Sequence, residues 1–330
     1  MEIARALVLA EADGGHGPWA AAPTGPKHLF PIANRPILFH NLEALRAAGV
    51  LEATILATGA TRHAIASVAG DGREWGLTLH YADWRAADGV REALAVTRDF
   101  LAGEPVLVQQ GDALLRDRMH GHIATFARER LDTLVLRLAS HSASEARLPA
   151  PSYLLSPKAV SILLDGPSDR ANPVSGVRAM GGNVRIQRVD GCLACHGDHE
   201  TVLDSNRRML ETITTDYNPA SLEESAIQGP VIVHPTARVR RTLLRGPAII
   251  GPGACLSDSY VGPYTSIGAD VVLDGSQVEY SIVLAGAELR FVGTRLESSV
   301  IGRGAKIVRG FQLPGAMRMM LGDGAEVVVS

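Results

Sequence analysis

Lysine is almost missing from this chain: 330 residues hold only Lys27, Lys158 and Lys306 against twenty-nine arginines. A lysine in a shaped local context is therefore less readily background. Cysteine is as scarce. Three cysteines cannot build a disulfide framework, which excludes the small secreted scaffolds and leads us to expect the cytoplasm. No apolar run approaches the roughly 20 residues of a membrane span, and no basic segment followed by an apolar one opens the chain, so no membrane partner is expected. A formal charge of −3 gives no reason to expect nucleic acid as a partner. What is left is an ordinary soluble composition, 46% hydrophobic and 20% charged, over a length that implies two domains of roughly 100–200 residues each.

The stretch Pro26-Lys27-His28-Leu29-Phe30-Pro31-Ile32-Ala33-Asn34-Arg35-Pro36 organises the first half. An apolar strand, residues 4–10, leads to it through a glycine-bearing loop. Pro36 fits the first position of a helix whose apolar face is Leu38, Leu42 and Leu45, and Gly49 ends that helix. Strands are expected at residues 53–57, 77–82, 105–109 and 133–138, and helices at 36–48, 61–69, 90–100 and 118–130. This alternation predicts an α/β fold, a doubly wound sheet with helices on both faces and ligands at the carboxyl ends of its strands. The loop 11–25, the Asp88-Gly89 turn and Gly111-Asp112 would then share one rim. Residues 139–151 form a loop by composition, followed by a helix at 157–164, a strand at 184–189 and a helix at 201–215 that Asp198 is placed to cap.

The last hundred residues repeat. Positions 251, 268, 285 and 302 fall 17 apart, with Ile250-Gly251-Pro252-Gly253-Ala254 echoed by Ile267-Gly268-Ala269 and Ile301-Gly302-Arg303-Gly304-Ala305. Finer apolar marks recur every five or six residues through Val233, Val239, Leu244, Ile250, Leu256, Val261 and Ile267. A parallel β-helix with three short faces per coil is the architecture with this hexapeptide-like signature. The expected division is 1–228 for the α/β domain and 229–330 for the β-helix. Residues 317–321 form an apolar cluster suited to a cap or a subunit contact.

The chain resembles the sugar-1-phosphate nucleotidyltransferases, in particular the long form that transfers thymidylate to glucose 1-phosphate and ends in a left-handed β-helix. The resemblance rests on the Pro26–Pro36 stretch, on Gln110-Gly111-Asp112-Ala113-Leu114-Leu115, on Leu203-Asp204-Ser205-Asn206-Arg207, and on two tail segments, 245–251 and 258–268. It implies a Rossmann-like nucleotidyltransferase domain followed by a left-handed parallel β-helix. It implies a reaction in which a sugar phosphate oxygen attacks the α-phosphate of a nucleoside triphosphate and pyrophosphate leaves. On that resemblance Lys27 and Asp112 are the catalytic candidates. Asp112 would hold Mg²⁺, with Asp198 as a candidate second metal aspartate, and Gly14, Gly15, Gly17 and Gly89 would line the nucleotide. The tails of this family also imply self-association, either as a homo-oligomer or with an active paralogue.

Departures from the family pattern are as informative as the matches. The glycine-rich loop Glu11-Ala12-Asp13-Gly14-Gly15-His16-Gly17-Pro18 lacks the family arginine and adds two carboxylates. Such an arginine is worth roughly 10³–10⁵ in rate, and like charges about 4 Å apart repel by about 4 kcal/mol at an effective dielectric of 20. Residues 171–177 carry no acid where the sugar-binding motif should lie. Cys195 occupies the second metal position, and Tyr81-Ala82-Asp83-Trp84-Arg85 replaces the base-reading motif. The expectation is a nucleotidyltransferase-family protein whose standard reaction is weakened or lost; the alternative is a non-catalytic partner or regulatory subunit. Cys192, Cys195, His196 and His199 could in principle take Zn²⁺, but their spacing is cramped for one ion, and an accidental cluster is expected instead. His234 opens an ordinary coil, so acyl transfer is not expected.

Overall fold

The computed structural model describes residues 3–10, 26–85, 89–139, 150–165, 173–194, 199–219 and 222–309. Its first half is built on β1 (Arg5–Leu9), α1 (Ile37–Ala47), β2 (Glu52–Ala57), α2 (Gly59–Ala69), β3 (Thr78–Asp83), α3 (Gly89–Val96), β4 (Val106–Gln110), β5 (Ala113–Leu115), α4 (Met119–Arg128), β6 (Thr133–Leu138), β7 (Ser152–Leu155), α5 (Pro157–Asp165), α6 (Pro173–Ala179), β8 (Val184–Val189), β9 (Gly191–Leu193) and α7 (His199–Leu210). Seven strands make one sheet in the order β8-β6-β7-β4-β1-β2-β3. β1 runs parallel to β2 and β4, with Leu7 opposite Thr54 on one side and Val108 on the other. Helices cover both faces, so the central strands are buried along most of their length and are rich in Leu, Val, Ile and Ala.

Several details differ from the sequence-based expectation. β7 lies antiparallel between β4 and β6. Its Ser-Tyr-Leu-Leu is too short to show a period, and pairing on both sides, rather than local pattern, makes it a strand. The expected helix 90–100 breaks at Thr97, whose hydroxyl donates back to the Ala93 carbonyl at 2.6 Å; a separate turn, Arg98–Leu101, follows. α7 ends at Leu210 rather than at residue 215. The β-branched run Thr212-Ile213-Thr214-Thr215 disfavours helix, and the Thr212 hydroxyl bonds the Met209 carbonyl. The expected cap Asp198 lies outside the described residues.

In the second half, short strands stack into three sheets parallel throughout, beginning at Leu222–Glu223, consistent with a left-handed β-helix. Val239, Leu256, Leu273, Leu289 and Ile307 form one interior column. The 17-residue step holds from Ile250 to Ile267, becomes 16 to Val283, and 18 to Ile301. Position 268 is thus matched by Leu284, and the sequence-based assignment of residue 285 is one place out. One corner turns through a left-handed residue in each coil: Glu224, Arg241, Asp258, Gly275 and Phe291 all have φ between 44° and 56°. Beside that corner runs a ladder of hydroxyls. The oxygens of Ser225, Thr242, Ser259 and Ser276 accept from the backbone N–H of residues 242, 259, 276 and 292. Among the described residues, no helix is long and apolar enough to cross a membrane.

Candidate active site

The strand order fixes where chemistry can sit. After β1 the chain builds outward through β2 and β3, then crosses back to place β4 on the other side of β1. The crevice beyond the carboxyl ends of β1 and β4 is the switch point at which open α/β sheets bind ligands. Lys27 arrives there from the β1 side and Asp112 from the β4 side. Their side chains meet with Lys27 Nζ 3.8 Å from Asp112 Oδ2, and are only 10% and 2% exposed. A pair at this distance gains about 4 kcal/mol at an effective dielectric of 20, while burying two charges costs several kcal/mol. Net stability is therefore a weak reason for the pair. A charged partner at the rim is a better one.

The supports of Asp112 are specific. The Gly111 N–H bonds the Leu9 carbonyl at 2.8 Å, continuing the β1–β4 ladder past its end. A Cβ on Gly111 would stand 3.0 Å from both the Leu9 carbonyl and the His28 ring, which leaves little room for a side chain there. Asn41 of α1, fully buried, donates to the Gly111 carbonyl at 3.0 Å and accepts from the Gln109 amide. The Asp112 carbonyl accepts from the Ala194 N–H, tying this corner to the β5–β9 pair.

Lys27 is held just as locally. It opens a single 3-10 turn, Lys27–Leu29, and its carbonyl accepts from Phe30. A hairpin follows, pairing Pro31–Ile32 with Arg35–Pro36 through Ala33 and Asn34, which both have positive φ. Pro36 is then the residue before the helix rather than its first member. His40 of α1 bonds the Ile32 carbonyl at 3.0 Å; burial lowers its pKa below the usual imidazole value, so it stays neutral at neutral pH and Nε2 is the donor.

Of the remaining sequence candidates, Gly89 begins α3 with φ 72°, past the end of β3, and its carbonyl accepts from the Trp84 indole at 3.0 Å. β1 and β2 lie between β3 and β4, a separation on the order of 10–15 Å at about 4.8 Å per strand. Trp84 itself is buried in the core, so it fills space where a base-reading residue was sought. Residues 173–179 form α6, with Val177 fully buried. Gly14, Gly15, Gly17 and Asp198 lie outside the described residues. So do Cys195 and His196. Cys192 is half-buried, its Sγ 3.3 Å from the Ser205 hydroxyl, and burial pushes its thiol up to about 11. His199 is exposed at the first turn of α7. Among the described residues there is no group of three or more His, Cys, Asp or Glu side chains placed to hold a metal.

Sequence reasoning missed Asn206. It sits on α7 between Leu203 and Leu210, on the buried apolar stripe, and is fully buried. A polar residue on that stripe was the available signal.

A model of the nucleotidyl transferase family matches residues 15–147. Over 99% of both chains the protein is 31% identical to a glucose-1-phosphate thymidylyltransferase of Streptomyces griseus. The chain belongs to the sugar-phosphate nucleotidyltransferase family. A second such relative, from Streptomyces antibioticus, is 27% identical over 98% of this chain and 99% of its own. A crystal structure from Bacillus anthracis, described as a candidate glucose-1-phosphate thymidylyltransferase in complex with sucrose, overlays 64% of this nucleotidyltransferase-family chain and 97% of its own. Its TM-score is 0.54 at 19% identity, a likeness of fold.

Proposed function

We propose that this nucleotidyltransferase-family protein binds a magnesium nucleoside triphosphate and a sugar phosphate at the β1–β4 crevice, and that its transfer of thymidylate to glucose 1-phosphate is strongly weakened. The buried Lys27–Asp112 pair at the switch point is the observation that carries the reading. Lys27 meets phosphate; a sugar phosphate oxygen attacks the α-phosphate of the triphosphate, forming the new P–O bond as the bond to pyrophosphate breaks and pyrophosphate leaves. Asp112 fits Mg²⁺, which commonly takes one or two carboxylates and completes its shell with phosphate oxygens and water. When bound, that ion would neutralise charge developing between the two anions. Gly14, Gly15, Gly17 and Gly89 belong to the nucleotide side of the site, and Asp198 is the second acidic candidate.

The weakening follows from the loop sequence. Without its arginine, and with Glu11 and Asp13 added, the loop loses a group worth roughly 10³–10⁵ in rate. The same departures favour a second reading: a non-catalytic subunit that retains the crevice and self-associates or joins an active relative through its β-helix.

Calorimetry with Mg²⁺ and each nucleoside triphosphate, paired with pyrophosphate release over a panel of sugar phosphates, separates the two. Measurable turnover that disappears in Asp112→Asn establishes an enzyme and removes the second reading. No triphosphate binding at millimolar concentration overturns the first.

A further inference from the structure

The hairpin that follows Lys27 does not stand alone on the sheet. Its Ala33 N–H donates to Asn206 Oδ1 at 2.9 Å, and the same oxygen accepts from the Ser266 hydroxyl at 2.7 Å. Asn206 Nδ2 donates to the Tyr264 carbonyl at 3.1 Å. One fully buried amide of α7 thus joins the hairpin to the coil strand Thr265–Ile267. A second bond runs directly across, from Asn34 Nδ2 to the Ile267 carbonyl at 2.6 Å. Beneath these bonds lies an apolar cluster shared by all three segments: Phe30, Ile32 and Ile37 from the Lys27 stretch, Val202 and Leu203 from α7, and Ile282 and Leu284 from the coil.

We infer that Asn206 is a positioning residue for Lys27: through the Ala33-Asn34 turn it lets the β-helix hold Lys27 against Asp112. Two residues in left-handed conformation form this turn, and only Asn34 is a type that tolerates it well. Something outside the hairpin must hold the turn, and the Asn206 amide and the Ile267 carbonyl do so. Phe30 closes the Lys27 turn by donating to the Lys27 carbonyl at 3.1 Å, and Ile37 returns to the Phe30 carbonyl at 3.0 Å. Only two residues, His28 and Leu29, separate Lys27 from that buried anchor. If the turn lifts from the coil, Phe30 loses its floor and Lys27 loses its fixed distance to Asp112. Asn206 itself does not reach the crevice. The importance of Lys27 to ligands rests on the function proposed above, whereas the tie itself does not.

The scarcity of lysine supplies the test. Lys158 and Lys306 are 57% and 67% exposed, against 10% for Lys27. Labelling the intact protein with an amine-reactive reagent and following each peptide by mass spectrometry therefore compares Lys27 with two internal standards. Asn206→Ala is expected to raise the Lys27 rate at least about fivefold by local opening while leaving the other two unchanged. Asn34→Gly keeps the left-handed backbone, removes only the side-chain bond to Ile267, and is expected to raise it less. Ile65→Val, a destabilising change in α2 outside the apolar cluster that anchors the hairpin, controls for general loosening and should leave Lys27 slow. An unchanged Lys27 rate in folded Asn206→Ala overturns the inference, as does an equal rise in the Ile65→Val control. Should Asn206→Ala fail to fold, Asn34→Gly decides by the same criterion. Calorimetry on these proteins separates the two ideas. Failure of the parent to bind a magnesium triphosphate overturns the function but not the tie. Parent-like affinity in a variant with fast-labelling Lys27 overturns the positioning role.

Discussion

In the β-helix each interior residue has a counterpart 16 to 18 positions away, so Val239, Leu256, Leu273 and Leu289 repeat one decision. In the α/β half, Lys27 and Asp112 are neighbours only because the chain crosses back over β1 before laying down β4. One half repeats local contacts, and the other depends on distant ones made once. The difference teaches where tolerance lies. A coil that loses a residue is corrected by the next, whereas Asn41, Gln109 and Gly111 have no second copy.

Truncating a core side chain should break either half by a similar amount. Leu107→Ala in β4 and Ile250→Ala in the coils should each cost about 2–5 kcal/mol, read as a lower midpoint in denaturant. If the shared cluster of Phe30, Leu203 and Leu284 joins the halves, both variants shift one common transition; two separate transitions would show that it does not. Space between coils is tested by glycine pairs at matched positions. A Cβ on Gly268 would come within 2.8 Å of the Ala285 nitrogen, while one on Gly302 meets nothing within 4 Å among the described residues. Gly268→Ala should cost about 1–3 kcal/mol and Gly302→Ala close to nothing. Equal losses would contradict the stacking. Ser259→Ala deprives the Ser276 N–H of its acceptor and should cost about 1–2 kcal/mol in the same assay, near the low end for an unsatisfied buried group.

The smallest expected effect is the histidine part of the pH dependence, which comes from the α/β half. Burial lowers the pKa values of His40 and His122. The unfolded chain therefore binds more protons just below its ordinary pKa of 6.5, and stability is fully present above that value and falls as pH drops towards the folded values. Each histidine can contribute a slope of at most about 1.4 kcal/mol per pH unit. His40→Asn should flatten the loss of melting temperature between pH 6.5 and 5; an unchanged slope would remove His40 from this account.

Much of the fold was legible because its signals are local or periodic. Leu38, Leu42 and Leu45 marked the buried face of α1, and Gly49, with φ 94°, ends that helix as expected. The coils showed their period, although a short corner moved residue 285 out of phase. β7 was not legible, since its strand character comes from neighbours on both sides. Nor was α6, where Pro173 and Gly176 obscured a helix that packs Val177 inward. Within the site, Lys27 and Asp112 could be singled out by motif, but their 3.8 Å approach is a product of strand order. Asn206 was visible as part of a family-like motif and as a polar interruption of an apolar stripe, but not as a tie, because its three partners come from two distant segments.

The hydroxyl ladder carries a practical rule for anyone wishing to lengthen this tail. Ser225, Thr242 and Ser259 each receive the following coil, whereas Ser276 hands on to Val292, a residue with no oxygen to offer. A duplicated unit spliced in before Ser276 would inherit a donor and an acceptor at its seam. A copy of the stretch from Val292 onward would leave its successor's amide without a hydroxyl, so added rungs belong in the middle of the stack rather than at its far end.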